Sequence, residues 1–108
     1  MKFCFALDLK NDEQLIHEYE MWHKAVWPAI IDSIRESGIT GLEIFRTSNR
    51  LFMIMETNKN FSFEKKKTMD IANLKVQEWE ELMWNYQQAL PSAKPGEKWI
   101  LMNKIFEL

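Results

Sequence analysis

The chain has 108 residues, 46% of them apolar, and its 14 Lys and Arg nearly balance its 16 Asp and Glu, for a formal net charge of −2. That length suits one domain spanning residues 1–108, and the composition is globular, not disordered. The near balance of charge gives no basis for nucleic acid or an anionic membrane as a partner, and neither is expected.

Met1 to Leu9 alternates: Phe3, Phe5, Leu7 and Leu9 share one face, and Cys4, Ala6 and Asp8 the other. This period of two predicts a strand. Cys4 is the one cysteine, so no internal disulfide forms, and it reads as a small buried hydrophobe. With no apolar run of signal-peptide or bilayer-spanning length, a cytoplasmic protein is expected.

Asn11 or Asp12 caps the next helix; with Asn11 as cap, Gln14 completes a capping-box pattern. The helix runs to about Ser37, where Gly38 stops it. Pro28 lacks the N–H for an intrahelical bond, so a kink or restart is expected there. Tyr19, His23 and Trp27 are each four residues apart and climb one flank, with Leu15, Ile16, Val26, Ile30 and Ile34 in the same arc. His17, Lys24, Asp32 and Arg35 fall opposite. An inward His23 is open to two readings. It is a core imidazole bonded to backbone or Tyr19, or it is the floor of a pocket where His23 and Tyr19 exchange protons with a small ligand.

Leu42–Arg46 and Arg50–Glu56 read as strands joined by a short loop at Thr47-Ser48-Asn49. The second is apolar on both faces. A chain this short has helices enough for one sheet face, so a second copy is the simplest cover for the other. Helices follow at about Phe63–Ala72 and Val76–Leu90; in the second, Val76, Trp79, Met83, Tyr86 and Leu90 stand at helical spacing. Trp79 is thus inward, as core or as a flat surface on which a ligand stacks. Trp84 lies off the stripe. Pro91–Glu97 is a loop, and Trp99–Leu108 is a closing strand.

The order strand, helix, strand, strand, helices, strand is the α+β, ferredoxin-like split βαβ plan, an antiparallel sheet with helices on one face. An open second sheet face suits a homodimer. His17 and His23 face about 120° apart on a helix, and no His-Glu-x-x-His or cysteine pair is present, so no metal is expected. Nor is there a Gly-rich phosphate loop, and no cofactor is expected.

The string Tyr19-x-x-x-His23-x-x-Val26-Trp27-Pro28 resembles the signature of the L-rhamnose mutarotase family. The resemblance extends over the opening strand, the long helix, the hairpin at Asn49-Arg50-Leu51-Phe52, the helix carrying Trp79 and the closing Ile105-Phe106-Glu107-Leu108. This chain departs from the family pattern at Lys24, Ala29 and Glu80. The resemblance implies a cofactor-independent isomerase, dimeric and of the α/β barrel type. It would interconvert the α and β anomers of a 6-deoxyhexose such as L-rhamnose or L-fucose. It implies His23 and Tyr19 as the catalytic pair, with Tyr19, Trp27 and Trp79 binding the sugar. Mutarotation moves one proton off the anomeric hydroxyl and one onto the ring oxygen. A histidine, titrating ordinarily near about 6.5, and a second polar group suffice for that. Two other classes fit the same residues: a cofactor-free oxygenase on this fold, and a non-catalytic sugar-binding module.

Overall fold

The computed structural model describes residues 1–108. The elements, in order, are β1 (Lys2–Leu9), α1 (Glu13–His23), α2 (Pro28–Glu36), β2 (Ile39–Thr47), β3 (Arg50–Thr57), α3 (Phe63–Ile71), α4 (Leu74–Trp84), β4 (Gln87–Gln88) and β5 (Ile100–Leu101). The sheet is antiparallel with strand order β2-β3-β1-β4, and β5 also pairs with β1. This is the expected α+β, split βαβ arrangement.

β1 pairs with β3 in unbroken register from Lys2↔Glu56 to Asp8↔Arg50. Opposed residues share a face, so Phe5 and Met53, and Leu7 and Leu51, lie together on one side. That side carries the core. Leu9, Tyr19, Leu51, Met83 and Tyr86 form one buried cluster, and Phe5, Ile39, Met53 and Met55 a second, with Trp99 packed against both. α1, α2 and α4 supply Leu15, Ile16, Ile34 and Trp79 to these clusters. α3 places Phe63 edge-on to Phe3, at 4.8 Å between ring centroids. All four helices therefore cover one face. The opposite face holds Cys4, Ala6, Phe52 and Ile54, half-buried, and Phe45, exposed, its ring 6.4 Å from that of Phe52.

Asp12 caps α1: its carboxylate accepts from the Leu15 N–H at 3.0 Å, so the cap falls there and not at Asn11. The helical path breaks after His23. Pro28 does not kink one helix but opens a second, as its first residue. Trp27, ahead of the proline, is held extended at φ −56° and ψ 134°, and its carbonyl accepts from the N–H groups of Ile30 and Ile31. Gly38 takes φ +99°, which a side chain tolerates poorly, and a Cβ there would meet the Asn58 amide at 3.0 Å. The hairpin is one residue tighter than expected, because Thr47 already pairs with Arg50.

Two expected elements end early. α4 stops at Trp84, not Leu90, with the Asn85 side chain donating to the Leu82 carbonyl. Tyr86–Gln88 then turns to the free edge of β1, where the Lys10 N–H donates to the Tyr86 carbonyl at 2.8 Å and Leu9 pairs with Gln87. Unpaired backbone at that edge outweighs the helix propensity of the glutamines. The closing strand covers Ile100–Leu101 and not Trp99–Leu108. After Met102 donates to the Cys4 carbonyl at 2.8 Å, the chain leaves the sheet. Ile105, Phe106 and Leu108 are exposed there.

Leu51 is 2% exposed at the centre of the core, whereas Leu74, at the start of α4, is 76% exposed. Leu51→Ala is expected to lower the urea-unfolding free energy by about 2–5 kcal/mol. Leu74→Ala should change it by less than about 0.5 kcal/mol. Equal effects would mean that the core is misplaced.

Candidate active site

Positions 19 and 23 are one turn apart on α1 and so lie on one face. The Tyr19 and His23 rings stand 4.3 Å apart between centroids. His23 Nδ1 lies 2.8 Å from the Tyr19 backbone carbonyl. A carbonyl only accepts, so Nδ1 carries a proton and donates it. In the neutral ring the lone pair is then on Nε2. His23 closes α1, and the unwound turn after it brings Trp27 round to α4, where the Trp27 and Trp79 rings meet edge-on at 5.0 Å. Trp79 also lies 5.8 Å from the His23 ring. The four site residues expected from the sequence thus converge in one aromatic group.

A cavity of about 630 Å³ opens between the two core clusters and is lined by Tyr19, His23 and Trp79. Its size falls within the usual range for small-molecule sites, about 300–1,000 Å³. Ile30, Ile34, Leu42, Met53 and Met55 provide apolar wall. Trp27 is not part of the lining; it touches Trp79 edge-on, with Lys75 Nζ 5.8 Å from the centre of its own ring. His17 is exposed, away from the cavity.

Burial pushes the Tyr19 phenol up to about 12, an effect that the side chain of Gln87 partly opposes. Tyr19 therefore keeps its proton throughout the neutral range and acts as a donor.

The lining also includes Gln87, Lys98 and Trp99, which nothing local in the sequence marks as site residues, and Glu80, marked there only as a departure from the family pattern. Gln87 is buried, and its amide oxygen has no hydrogen-bond partner within the protein. The signal for Gln87 and Trp99 is tertiary, since β4 and β5 each exist through two residues paired with β1. Lys98 donates to the Glu80 carbonyl at 3.0 Å and lies 4.7 Å over the Trp84 ring. Its pKa is lowered by desolvation, against the opposing pull of the Glu80 charge. No group of three or more His, Cys, Asp or Glu side chains is placed to hold a metal ion, and no helix is long and apolar enough to cross a membrane.

The family model for L-rhamnose mutarotase matches residues 2–108. An L-fucose mutarotase from Xanthomonas campestris pv. campestris is 42% identical over 109 residues, covering 99% of this chain and 87% of that protein. An L-rhamnose mutarotase from Paraburkholderia phytofirmans is 26% identical over 83 residues, 75% of this chain and 74% of that one. The crystal structure of an L-rhamnose mutarotase from Formosa agariphila has the same fold, with a TM-score of 0.73 at 19% identity over 100% of this chain and 98% of that one.

The raised Tyr19 pKa carries a stability consequence. The unfolded chain ionises this phenol from about pH 10 and the folded protein only near about 12, so Tyr19 favours folding below pH 10 and loses that contribution as pH rises between the two values. Parent protein should lose about 2–3 kcal/mol across that window through this group, at about 1.36 kcal/mol per unit. Urea unfolding of parent and Tyr19→Phe at pH 9 and pH 12 checks it: the variant should lose less by about that amount. Identical losses would place Tyr19 in solvent.

Proposed function

The chain belongs to the L-rhamnose mutarotase family, and from that premise we propose how this sugar mutarotase works: His23 and Tyr19 open and close the ring of a 6-deoxyhexose held against Trp79. The observation that carries the reading is the 2.8 Å contact of His23 Nδ1 with the Tyr19 carbonyl, which leaves the Nε2 lone pair for use as a base beside a phenol that keeps its proton.

His23 Nε2 takes the proton of the anomeric hydroxyl as the bond between C1 and the ring oxygen breaks. The bonding pair passes to the ring oxygen, which receives the Tyr19 proton, and the open aldehyde results. Burial disfavours the phenolate that this leaves, and the imidazolium formed at His23 in the same step, its ring 4.3 Å away, offsets that charge until closure. Rotation about C1–C2 presents the other carbonyl face. Closure runs the same transfers backwards: the hydroxyl that attacks C1 returns its proton to Tyr19, and His23 returns its own to the carbonyl oxygen. Both groups end as they began, and the reaction needs no metal or other cofactor. Trp79 stacks on the C–H face of the sugar, and Trp27 holds Trp79 in place. L-fucose is the preferred substrate in this reading, because the L-fucose mutarotase is the relative with 42% identity while the L-rhamnose mutarotase has 26%.

The active protein in this reading is a cytoplasmic homodimer. Support comes from the helix-free sheet face with Phe45, Phe52 and Ile54, and from the exposed apolar side chains of Ile105, Phe106 and Leu108. A second copy covers the apolar surface that the helices leave open.

Saturation-transfer NMR of anomer exchange over a panel of 6-deoxy sugars tests the chemistry. His23→Ala should slow exchange by about 10²–10⁴ while remaining folded. His17→Ala should exchange at the parent rate. A folded His23→Ala protein that matches the parent would sink the mechanism. For assembly, sedimentation at micromolar concentration should give twice the 13.0 kDa of one chain. Deleting residues 103–108 should shift the population toward monomer. A parent that sediments as a compact monomer would rule the dimer out.

A further inference from the structure

Gln87 sits on β4 opposite Leu9 of β1, and opposed residues share a face, so its side chain turns under the helices with Leu9. Gln88 beside it turns the other way and is exposed. The backbone is pinned on both sides, by the pairing to Leu9 and by the Lys10 N–H donating to the Tyr86 carbonyl. Gln87 is therefore 5% exposed, and it lines the same cavity as Tyr19, His23 and Trp79. Its side chain faces the Tyr19 phenol, while its amide oxygen finds no donor within the protein. Buried acceptors are rarely left so, because an unmade hydrogen bond costs the full desolvation of the group. The oxygen is closed to solvent, but a half-turn of the amide exchanges its oxygen and nitrogen, and that turn presents the acceptor to a molecule in the cavity, which supplies the missing donor.

We propose that Gln87 reads the configuration of the sugar: its amide oxygen accepts a hydrogen bond from one ring hydroxyl of the 6-deoxyhexose and so discriminates between sugars that differ at that carbon. This deepens the mutarotase reading and rests on it. A fixed acceptor on a rigid strand suits the task. A hydroxyl in the matching orientation satisfies the oxygen, and an epimer both leaves it unpaired and fails to satisfy its own hydroxyl. Sites that bond a substrate hydroxyl discriminate in this asymmetric way, whereas apolar walls separate sugars of equal size poorly. Trp79 and the isoleucines give grip without direction; Gln87 gives direction.

The experiment compares parent, Gln87→Met and Gln87→Glu on L-fucose, L-rhamnose and the monodeoxy analogues of the preferred sugar. Binding is read by saturation-transfer difference and anomer exchange by saturation transfer in the same samples. Methionine keeps the length and loses the acceptor; glutamate keeps an acceptor oxygen. Gln87→Met should lose about 10–100-fold in exchange efficiency on the preferred sugar, equivalent to about 1.4–2.7 kcal/mol at about 1.36 per tenfold. It should bring the ratio between the two sugars toward one. On the analogue that lacks the hydroxyl in question, Gln87→Met and parent should perform alike. Gln87→Glu should retain the parent's order of preference. Removing an unpaired acceptor should not lower the melting temperature. An unchanged sugar ratio in Gln87→Met overturns the proposal, as does an equal loss on every sugar and analogue accompanied by a lower melting temperature. If the parent binds the sugars but exchanges no anomers, the reaction assigned above falls, and the ratio of affinities still decides the role of Gln87. If the parent binds neither sugar, both fall.

Discussion

The molecule hangs on the two edges of β1. One edge is taken along its whole length by β3. The other is divided, with β4 at Asp8 and Leu9 and β5 at Phe5 and Ala6. A single strand thus gathers segments from both ends and the middle of the chain. The division has a chemical result: two short strands bring Gln87 and the Lys98-Trp99 pair to the cavity. One continuous strand along that edge would deliver its side chains at fixed two-residue intervals. Two separate arrivals let the loop between them set what faces the ligand.

The second constraint is Pro28. A proline in mid-helix costs about 3 kcal/mol, but as the first helical residue it costs nothing. The chain takes the second course. The intervening turn, residues 24–27, lets Trp27 leave the flank of α1 and meet Trp79 on α4. This contact adds to the aromatic contacts that α1 already makes with α4, where Trp22 lies 6.4 Å from Trp79. Trp79, which lines the cavity, thus has a second indole against its ring.

Much of this was legible from residues alone. The alternation of Phe3, Phe5, Leu7 and Leu9 marked β1 and its buried face, because strand periodicity reflects a one-sided core. Tyr19 and His23 were legible as neighbours because one helical turn separates them, and Trp79 was legible as inward from its spacing with Val76 and Met83. The misses share a cause. Tyr86 continues the helical stripe and glutamine is a good helix former, so nothing local announces that Gln87 belongs to a strand; the signal is the empty edge of β1, 78 positions away at Leu9. A helical period carried through to Pro28 would put Trp27 on the flank, but the unwound turn takes it out of the lining. Ile105, Phe106 and Leu108 look like strand residues by composition, yet no strand within the chain pairs with them.

The bond that fixes the His23 tautomer has its acceptor on the main chain, not on the phenol. Any residue at position 19 offers the same carbonyl, so the orientation of the imidazole is indifferent to what side chain stands there. In the proposed mechanism, base and acid are therefore separable units. The base is a module of one helical turn, complete within five residues and carried wherever that turn is carried. The acid is tertiary, since its proton is secured by burial among β3, α4 and the segment around Tyr86. Divergence of the surrounding cavity can retune the phenol and the sugar it serves without disturbing the imidazole, which leaves room for substrate preference to drift while the proton chemistry stays in place.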